Sequence, residues 1–464
     1  MMGAIATLAA LFCVVSPTSA ALLWPTAGGD GGRTHSSLHQ PTSGPLAVKS
    51  STPWDPCQGA SGGFCEYDPD LLSDGTLVLH WSSAHGLAAR AIANLSSPLW
   101  TYDLGDGLRG CAAFDTATAG RLATQALDKS GVLTVAASTL DASNPRAPPK
   151  TTHAWTVDLG ATRPAAGSGV TCFAQLDGAD SASLVFATQT ADDGLLLRFL
   201  AGANKTQSLV APSLAVGNRT IDGTAAACLL ADLDPIVIDN GTKVGLTFSC
   251  TGGFGDTLAV YAVPSDLDRR QSTPAAPPLW TATTGPNRMD FACTRTRAAD
   301  GAVMYDTNAA VPGTPHGGMY GMLASGSGKP LWSEKIADGA PVGGFLAAGP
   351  SSGLLYRYEG DAAPHKIVAV GHASGAALWT YMFSPAASVE MVLGQWLPDG
   401  GAIVVYYTTS GENTVVRVDS SGKAGKPVMV GTAILPPVVN NLLVLPDGDI
   451  LLWLGGNPTI VRLG

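Results

Sequence analysis

The chain has 464 residues, a formal net charge of −10 and only 13% charged residues. This charge argues against a nucleic-acid partner, because phosphate backbones are bound by a basic face and the sequence shows none. The 56 glycines and 32 prolines, without continuous helical periodicity, favour many short strands joined by tight turns.

The segment Met1–Ala20 is typical of a secretory signal peptide. An apolar stretch from Met1 to Val15 is followed by small residues ending at Ala20, although no Lys or Arg precedes it. The alternative is a membrane anchor, but the stretch is too short to span a bilayer comfortably, and no later run reaches that length. We therefore expect a signal peptide at 1–20, a single domain at 21–464, no transmembrane segment, and a protein that is secreted or stays in the secretory-pathway lumen.

One phrase occurs twice in the second half of the chain. Gly321-Met-Leu-Ala-Ser-Gly-Ser-Gly-Lys-Pro-Leu-Trp332 and Val370-Gly-His-Ala-Ser-Gly-Ala-Ala-Leu-Trp379 each lead from an apolar run through a Ser/Gly turn to Leu-Trp. The two tryptophans are 379 − 332 = 47 residues apart. A period of this length with short strands predicts an all-β fold, a β-propeller of four-stranded antiparallel blades.

Eight blades are predicted from the apolar strands and turns, with seven as the alternative, since blades three, seven and eight lack a tryptophan near their ends. Asp-Gly between alternating apolar runs, as at Asp399-Gly400 and Asp447-Gly448, indicates tight hairpin turns. We expect the N-terminal strand to complete the last blade and close the ring, which hides both sheet edges. The predicted blade starts lie near Phe64, Cys111, Cys172, Cys228, Ala292, Gly343, Met391 and Leu435.

Tryptophans recur near the predicted blade ends, where a large aromatic side chain can fill the wedge between neighbouring blades. Trp24 also follows a leucine, in Leu22-Leu23-Trp24, but it precedes the first blade. The set consists of Trp24, Trp100, Trp155, Trp280, Trp332 and Trp379.

The stretch Trp24-Pro-Thr-Ala-Gly28-Gly29-Asp30-Gly-Gly-Arg33-Thr34 resembles the Trp-Pro-x-x-Gly-Gly-Asp-x-x-Arg-Thr opening of proteins with pyrroloquinoline-quinone-like repeats. The two Leu-Trp phrases and Val418-Asp419-Ser-Ser-Gly422-Lys423 are similar to that family's repeat, Ala/Val-x-Asp-x-x-Thr-Gly-x-x-x-Trp. The resemblance implies the quinoprotein-alcohol-dehydrogenase-like propeller fold. The family's dehydrogenases carry an adjacent Cys-Cys pair and acidic calcium ligands around the axis. This sequence has no adjacent cysteines, so the resemblance implies a non-dehydrogenase branch without a cofactor, with the quinone or calcium as the alternative.

Cysteines and sequons are those of a secretory-pathway chain. Of eight cysteines, Cys13 lies in the signal peptide, and an odd number remains. Candidate disulfides are Cys57 with Cys65 and Cys228 with Cys250, although sequence alone leaves the connectivity open. Four Asn-x-Ser/Thr sequons predict N-glycosylation at Asn94, Asn204, Asn218 and Asn240.

Motifs that could carry chemistry are incomplete. Asp232, Asp234 and Asp239 could offer oxygen ligands to calcium, but the glycine and terminal glutamate of an EF-hand loop are missing, so a solvated turn is favoured. Gly349-Pro-Ser-Ser-Gly353 matches the Gly-x-Ser-x-Gly string, yet strand-like sequences flank it on both sides and predict a hairpin instead of a nucleophile elbow. We identify no catalytic residue.

Three hypotheses on function follow. The preferred one is a secreted, non-enzymatic, monomeric ring that acts as a scaffold for a protein or glycan partner. The alternative is a quinone- or calcium-dependent oxidoreductase or lyase whose site residues come from separate blades. The third is a lectin-like ring that binds glycans, with Trp54, Trp81 or Trp396, if exposed, as the first candidates for stacking on a sugar. More often such tryptophans are packing residues.

Overall fold

The computed structural model describes strands and the turns between them, with no helix in the described part of the chain. The residues it describes are 37, 40–53, 70–71, 77–82, 86–102, 109–115, 121–127, 132–139, 147–148, 150–158, 174–176, 183–189, 195–200, 213–214, 219–221, 224–226, 228–230, 236–239, 242–250, 256–263, 278–283, 289–290, 295–296, 302–309, 319–335, 345–349, 352–357, 365–384, 389–408, 410–432, 439–454 and 459–464.

After β1 (Val48–Pro53), the chain forms three four-stranded sheets between Asp70 and Leu214, and all sheets are numbered in chain order. Sheet 1 contains β2 (Asp70–Leu71), β3 (Leu77–Ser82), β4 (Gly86–Ala91) and β5 (Trp100–Tyr102). Sheet 2 contains β6 (Arg109–Asp115), β7 (Arg121–Leu127), β8 (Val132–Thr139) and β9 (Lys150–Asp158). Sheet 3 contains β10 (Ala174–Leu176), β11 (Ser183–Gln189), β12 (Leu195–Leu200) and β13 (Ser213–Leu214).

A separate hairpin of β14 (Arg219–Ile221) and β15 (Thr224–Ala226) precedes two sheets whose first strand is interrupted. Sheet 4 contains β16 (Cys228–Leu230), β17 (Ile236–Ile238), β18 (Lys243–Cys250), β19 (Asp256–Ala262) and β20 (Trp280–Thr283), with β16 and β17 both pairing with β18. Sheet 5 contains β21 (Met289–Asp290), β22 (Arg295–Thr296), β23 (Val303–Ala309), β24 (Met319–Leu323) and β25 (Pro330–Lys335), with β21 and β22 both pairing with β23.

Three further sheets complete the described fold. Sheet 6 contains β26 (Phe345–Ala348), β27 (Ser352–Arg357), β28 (Lys366–Gly371) and β29 (Ala377–Met382). Sheet 7 contains β30 (Val389–Trp396), β31 (Ala402–Thr408), β32 (Glu412–Val418) and β33 (Val428–Thr432). Sheet 8 contains β34 (Val439–Val444), β35 (Ile450–Leu454), β36 (Thr459–Leu463) and, on its outer edge, β1.

All strand pairs in these sheets are antiparallel, and consecutive sheets meet through their first strands. Thus β26 lies against β30, and β30 against β34. The last strand of each sheet is then its outer edge. The predicted all-β architecture of four-stranded antiparallel sheets is confirmed.

The hydrophobic core lies between neighbouring sheets. Between sheets 6 and 7, Leu354 and Ala369 pack with Val404 and Val416. Between sheets 7 and 8, Leu393 and Val415 pack in a cluster with Leu452 and Val461 of sheet 8. Strands with a neighbouring sheet on each side are buried on both faces, which is why β35 reads Ile-Leu-Leu-Trp-Leu and is buried throughout.

Local turn signals in the sequence agree with the structure. Gly400 and Gly448 have φ values of 84° and 83°, a conformation that glycine adopts without a steric penalty. The preceding Asp399 and Asp447 cap their turns by accepting backbone N–H groups two residues on. Each predicted blade start lies in or close to the first strand of a sheet, and the largest difference is between Phe64 and the strand that begins at Asp70.

The strand that completes sheet 8 is β1, which pairs antiparallel with β36 and places Ser51 opposite Val461. An N-terminal strand was predicted for this role from the Leu-Leu-Trp setting of Trp24, but the pairing segment begins at Val48. Trp24 and the predicted signal peptide lie outside the described residues. In the part of the chain that the structure describes, no helix is long and apolar enough to cross a membrane.

Candidate functional site

Indole side chains on outer strands lie on turns of the next sheet. Trp280 at the start of β20 donates its Nε1–H to the carbonyl oxygen of Ser325 at 2.7 Å. Trp332 on β25 donates to the carbonyl oxygen of His372 at 2.7 Å. Under each ring is a glycine with positive φ, Gly328 or Gly375. The repeated phrase therefore encodes both halves of one contact, the tryptophan of one sheet and the glycine turn of the next.

Trp379 makes the equivalent contact between sheets 6 and 7. A Cβ on Gly422 would lie 2.9 Å from the Cβ of Trp379. The Trp379 ring also stacks on Trp396, with centroids 6.4 Å apart and planes at 16°. Trp396 is 3% exposed, so its ring faces are closed to a sugar.

The remaining tryptophans named from the sequence divide into two groups. Trp100 begins β5 and is buried. For Trp155 on β9 and Trp81 on β3, the structure describes the backbone but not the side chain. Trp54 lies outside the described residues.

Residues 40–53 together with Ser37, called the N-terminal strap below, lie across sheets 7 and 8. Gln40 donates its amide to Asp399 at 2.6 Å, and Arg417 donates to the carbonyl oxygen of Thr42 at 2.9 Å. The N–H of Thr42 in turn donates to the carbonyl oxygen of Gly448 at 3.1 Å. The strap thus contacts the Asp-Gly turns of two successive sheets before it pairs with β36.

A buried carboxylate anchors the strap. Asp449 accepts from Lys49 of the strap at 2.6 Å and from Arg462 of β36 at 2.5 Å, and its side chain is only 3% exposed. Arg462 also pairs with the exposed Asp447 at 2.6 Å. Burial alone would raise the pKa of the Asp449 carboxyl, but hydrogen bonds and charge from Lys49 and Arg462 outweigh it, and the pKa lies below its ordinary value.

The outer strands carry the exposed large apolar side chains of the described residues. Three of these side chains are leucines that directly precede a docked tryptophan, because a strand that turns its indole inward turns the adjacent residue to solvent. The full set is Val48, Leu279, Leu331, Leu378, Met382 and Met429.

The outer strand β29 contains neither a charged residue nor a proline between Ala377 and Met382. Its Leu378 is 60% exposed, and Met382 is also exposed. Natural edge strands are usually protected by charge, proline or a cover. This edge has none of these sequence devices.

An aromatic cluster lies between sheets 6 and 7. The ring of Phe383 meets Tyr381 and Tyr406 edge-on, with centroid distances of 5.2 and 4.9 Å. Burial, and secondly the neighbouring Tyr406, raise the pKa of Tyr381 to about 12. No sequence motif marks this cluster, because its members come from two different repeats.

Two aspartates that could offer oxygen ligands to calcium are each paired with basic side chains. Asp239 has a positive φ of 56° in the β17–β18 turn, and its carboxylate pairs with Lys243 at 2.7 Å. Asp449 is held by two cations, as above. No group of three or more His, Cys, Asp or Glu within the described ranges is placed to hold a metal ion. The candidates Asp232 and Asp234 lie outside those ranges, so the expectation on cofactors stays a prediction.

The Gly-x-Ser-x-Gly string is a hairpin. Gly349 follows β26, its N–H donates to the carbonyl oxygen of Ser352 at 2.7 Å, and Ser352 begins β27. A nucleophile elbow would need a helix after the serine. The strand found there agrees with the hairpin expected from the sequence.

The disulfide and glycosylation candidates fall partly inside the described residues. Cys228 and Cys250 are direct cross-strand partners in β16 and β18. Asn94 is exposed in the β4–β5 turn, where its side-chain oxygen accepts from the Ser96 hydroxyl at 2.5 Å. The disulfide and the glycan both remain predictions about the mature protein. Cys57, Cys65, Asn204, Asn218 and Asn240 lie outside the described residues.

Comparison with known proteins gives similarity of fold. No protein-family model matches the sequence, and no curated protein matches it. The structure is similar to Sqt1 from Chaetomium thermophilum, with a TM-score of 0.52, 13% identity, and coverage of 90% of this chain and 99% of that chain. It is also similar to quinohemoprotein alcohol dehydrogenase from Comamonas testosteroni, with a TM-score of 0.50, 12% identity, and coverage of 99% and 84%.

BamB from Moraxella catarrhalis has a TM-score of 0.48 and 12% identity over 90% of this chain and 99% of that chain. At these identities the similarity shows the fold alone. The propeller fold implied by the resemblance of the Trp24 stretch and the Leu-Trp phrases to pyrroloquinoline-quinone-like repeat proteins is confirmed by the similarity to Sqt1 and to the alcohol dehydrogenase.

Proposed function

We propose that this chain is a secreted, non-enzymatic β-propeller of eight blades that acts as a protein-binding scaffold through its outer strands. Each of the eight numbered sheets is one blade, and β1 closes the ring at sheet 8. Contacts between the last and first sheets support closure. Leu95 of the β4–β5 turn packs in one cluster with Leu445, Leu451 and Trp453 of sheet 8.

The observation that carries the proposal is the placement of exposed apolar side chains. Within the described residues, all the exposed large hydrophobic side chains lie on, or directly before, an outer strand. Leu279, Leu331 and Leu378 repeat on three successive sheets. Apolar side chains grouped on one part of a surface mark interaction sites more often than scattered ones do. The outer strands that carry or directly follow Leu279, Leu331 and Leu378 are called the rim below. A protein partner with apolar side chains fits the rim better than a glycan does, because a glycan is bound by exposed faces of aromatic side chains and by paired polar groups.

Cross-linking mass spectrometry on the protein isolated from its natural source tests the proposal. We expect a stoichiometric protein partner with cross-links concentrated near β25 and β29. Leu378→Glu should then weaken recovery of that partner about tenfold, equivalent to ~1.4 kcal/mol. The control is Thr101→Glu, an exposed position on β5, where the leucine before the tryptophan is not exposed. A partner that binds Leu378→Glu as well as the unaltered chain contradicts the rim assignment.

The oxidoreductase alternative and the secretory location have separate tests. Incubation with pyrroloquinoline quinone and calcium, followed by removal of free cofactor, should leave no quinone absorbance on the protein; a retained stoichiometric band would favour the alternative. Secretion predicts that the mature chain begins at Ala21 and carries a glycan on Asn94 that peptide N-glycosidase removes. An intact mass that includes residues 1–20 without added sugar would contradict the secretory assignment.

A further inference from the structure

The N-terminal strap is held mostly through its main chain. Of the six residues of β1, only Thr52 is partly buried, and the others are exposed. The anchors are the β1–β36 ladder, the ion pair of Lys49 with Asp449, and the hydrogen bonds of Gln40 and Thr42 described above. Its buried residues are Ser37, Pro41 and Leu46. A segment with so little buried side-chain area detaches locally at a lower free energy than global unfolding requires.

The strand beside the strap in sheet 8 is held by its side chains, which pack with neighbouring strands and sheets. In β36, Ile460, Val461 and Leu463 are buried. Loss of the strap would expose the backbone groups of this edge and leave the Asp449 carboxylate with Arg462 as its cation. An open edge strand pairs readily with any extended chain of suitable sequence. The site therefore needs an occupant.

We propose that this site also accepts the strap of a second copy of this chain, so that two molecules close each other's last sheet. The charge pattern specifies the occupant: an extended segment with an apolar residue for the Leu46 position and a lysine three residues later for Asp449. The strap of a second copy meets this requirement by identity. It would make in trans the ladder and the Lys49–Asp449 pair that the structure shows in cis, as in strand-swapped dimers generally.

Chain length permits the exchange. Residues 54–69 join the strap to β2. Fully extended, a connection of this length spans about 55 Å. The cis form is favoured at low concentration because the tethered strap has a high effective concentration, and the swapped dimer gains as protein concentration rises. The exchange uses the edge of sheet 8 and is independent of the rim proposed for partner binding.

Charge reversal distinguishes cis from trans closure. Each substitution is made singly in the full chain and places two like charges where the strap meets its own sheet 8. In Lys49→Glu the new glutamate faces Asp449, and in Asp449→Lys the new lysine faces Lys49. In a swapped heterodimer of the two variants, one junction pairs the introduced glutamate with the introduced lysine, and the other pairs native Lys49 with native Asp449. Native mass spectrometry of the mixture should show a heterodimer of the two variants. Each variant alone should form no dimer. The chain with both substitutions is matched in cis and is the control, expected to behave like the unaltered protein.

A mixture of folded variants that yields no heterodimer overturns the proposal. Because Asp449→Lys places a cation beside Arg462 and can prevent folding, a second measurement uses unaltered chains with two different affinity tags. These chains are mixed at high concentration in sub-denaturing urea and returned to buffer. Co-purification of both tags as a dimer, lost on deletion of residues 40–53 from one partner's chain, is expected. Tags that stay entirely separate, or a foreign protein's segment cross-linked to β36 instead, overturn the assignment to a second copy.

Discussion

The indole of Trp280 lies directly on Gly328 of the next sheet, so that a Cβ at Gly328 would overlap the ring carbon Cε3. Gly328 also has a positive φ of 63°. The turn therefore requires glycine for two reasons, the conformation of its backbone and the approach of the ring. The same relationship recurs for Trp332 with Gly375, which explains why the Ser/Gly turn and the tryptophan repeat together in the sequence.

Gly328→Ala should lower the free energy of unfolding by about 2–3 kcal/mol, because the methyl group meets the Trp280 ring and the backbone conformation is strained. Urea denaturation measures the loss. The control is Gly326→Ala in the same turn, where a Cβ would meet nothing within 4 Å. Equal effects of the two substitutions would show that the ring contact is not the cause.

Trp332→Phe should lower the free energy of unfolding by about 1–3 kcal/mol, since phenylalanine cannot donate to the His372 carbonyl oxygen and fills less of the space between sheets 5 and 6. Thermal unfolding followed by circular dichroism measures the change. Leu331→Ala, at the exposed neighbouring position, should have almost no effect. A larger loss for Leu331→Ala than for Trp332→Phe contradicts this account.

Asp449→Asn should lower the free energy of unfolding by about 3 kcal/mol at neutral pH, because a buried carboxylate with two cationic partners is lost. The folded-state pKa of Asp449 lies below its ordinary value, so its contribution is complete above that value and disappears as pH falls through the folded pKa. The difference between the variant and the unaltered protein should therefore narrow below pH about 4.

The control for this titration is Asp447→Asn. Asp447 pairs with the same Arg462, but its side chain is 54% exposed. An exposed pair contributes about 0–1 kcal/mol, so little change is expected at any pH. Denaturation curves at several pH values measure both variants, and a constant gap for Asp449→Asn down to strongly acidic pH argues against the ionised pair as its source.

Cys228 and Cys250 should form a disulfide in the mature protein, because antiparallel partners place their Cα atoms within bridging distance. Non-reducing peptide mapping should recover a Cys228–Cys250 linked peptide. Replacement of both residues by serine should lower the unfolding temperature. A reducing agent should lower the unfolding temperature of the unaltered chain but leave that of the double variant unchanged. A mapped link from Cys228 to any other cysteine refutes the pairing.

Local features of this protein were predictable from local sequence. Asp-Gly pairs indicated the turns at Gly400 and Gly448, and the apolar runs placed every predicted blade start in or near the first strand of an observed sheet. These features depend on residues a few positions apart, whose backbone preferences and capping hydrogen bonds are the same in any tertiary context.

The candidate site was much less predictable. Lys49 and Asp449 are separated by 400 residues and share no motif, so nothing in the sequence pairs them. The sequence left open whether Trp396 stacks on a sugar or packs in the core, and the structure buries it against Trp379, while Leu378, which precedes Trp379, is exposed. Which of two adjacent apolar residues faces solvent depends on which side of the strand the next sheet covers.

The sequence by itself determined the repeat, the strand-and-turn alternation and the glycine turns, because these follow from backbone conformation and from periodicity along one segment. Only the tertiary structure decided that Val48–Pro53 completes sheet 8, that Trp280 and Trp332 dock on turns of the following sheets, and that Lys49 meets Asp449. Those contacts join segments far apart in the chain, and their partners are chosen by the order in which the sheets pack, a property that no single segment contains.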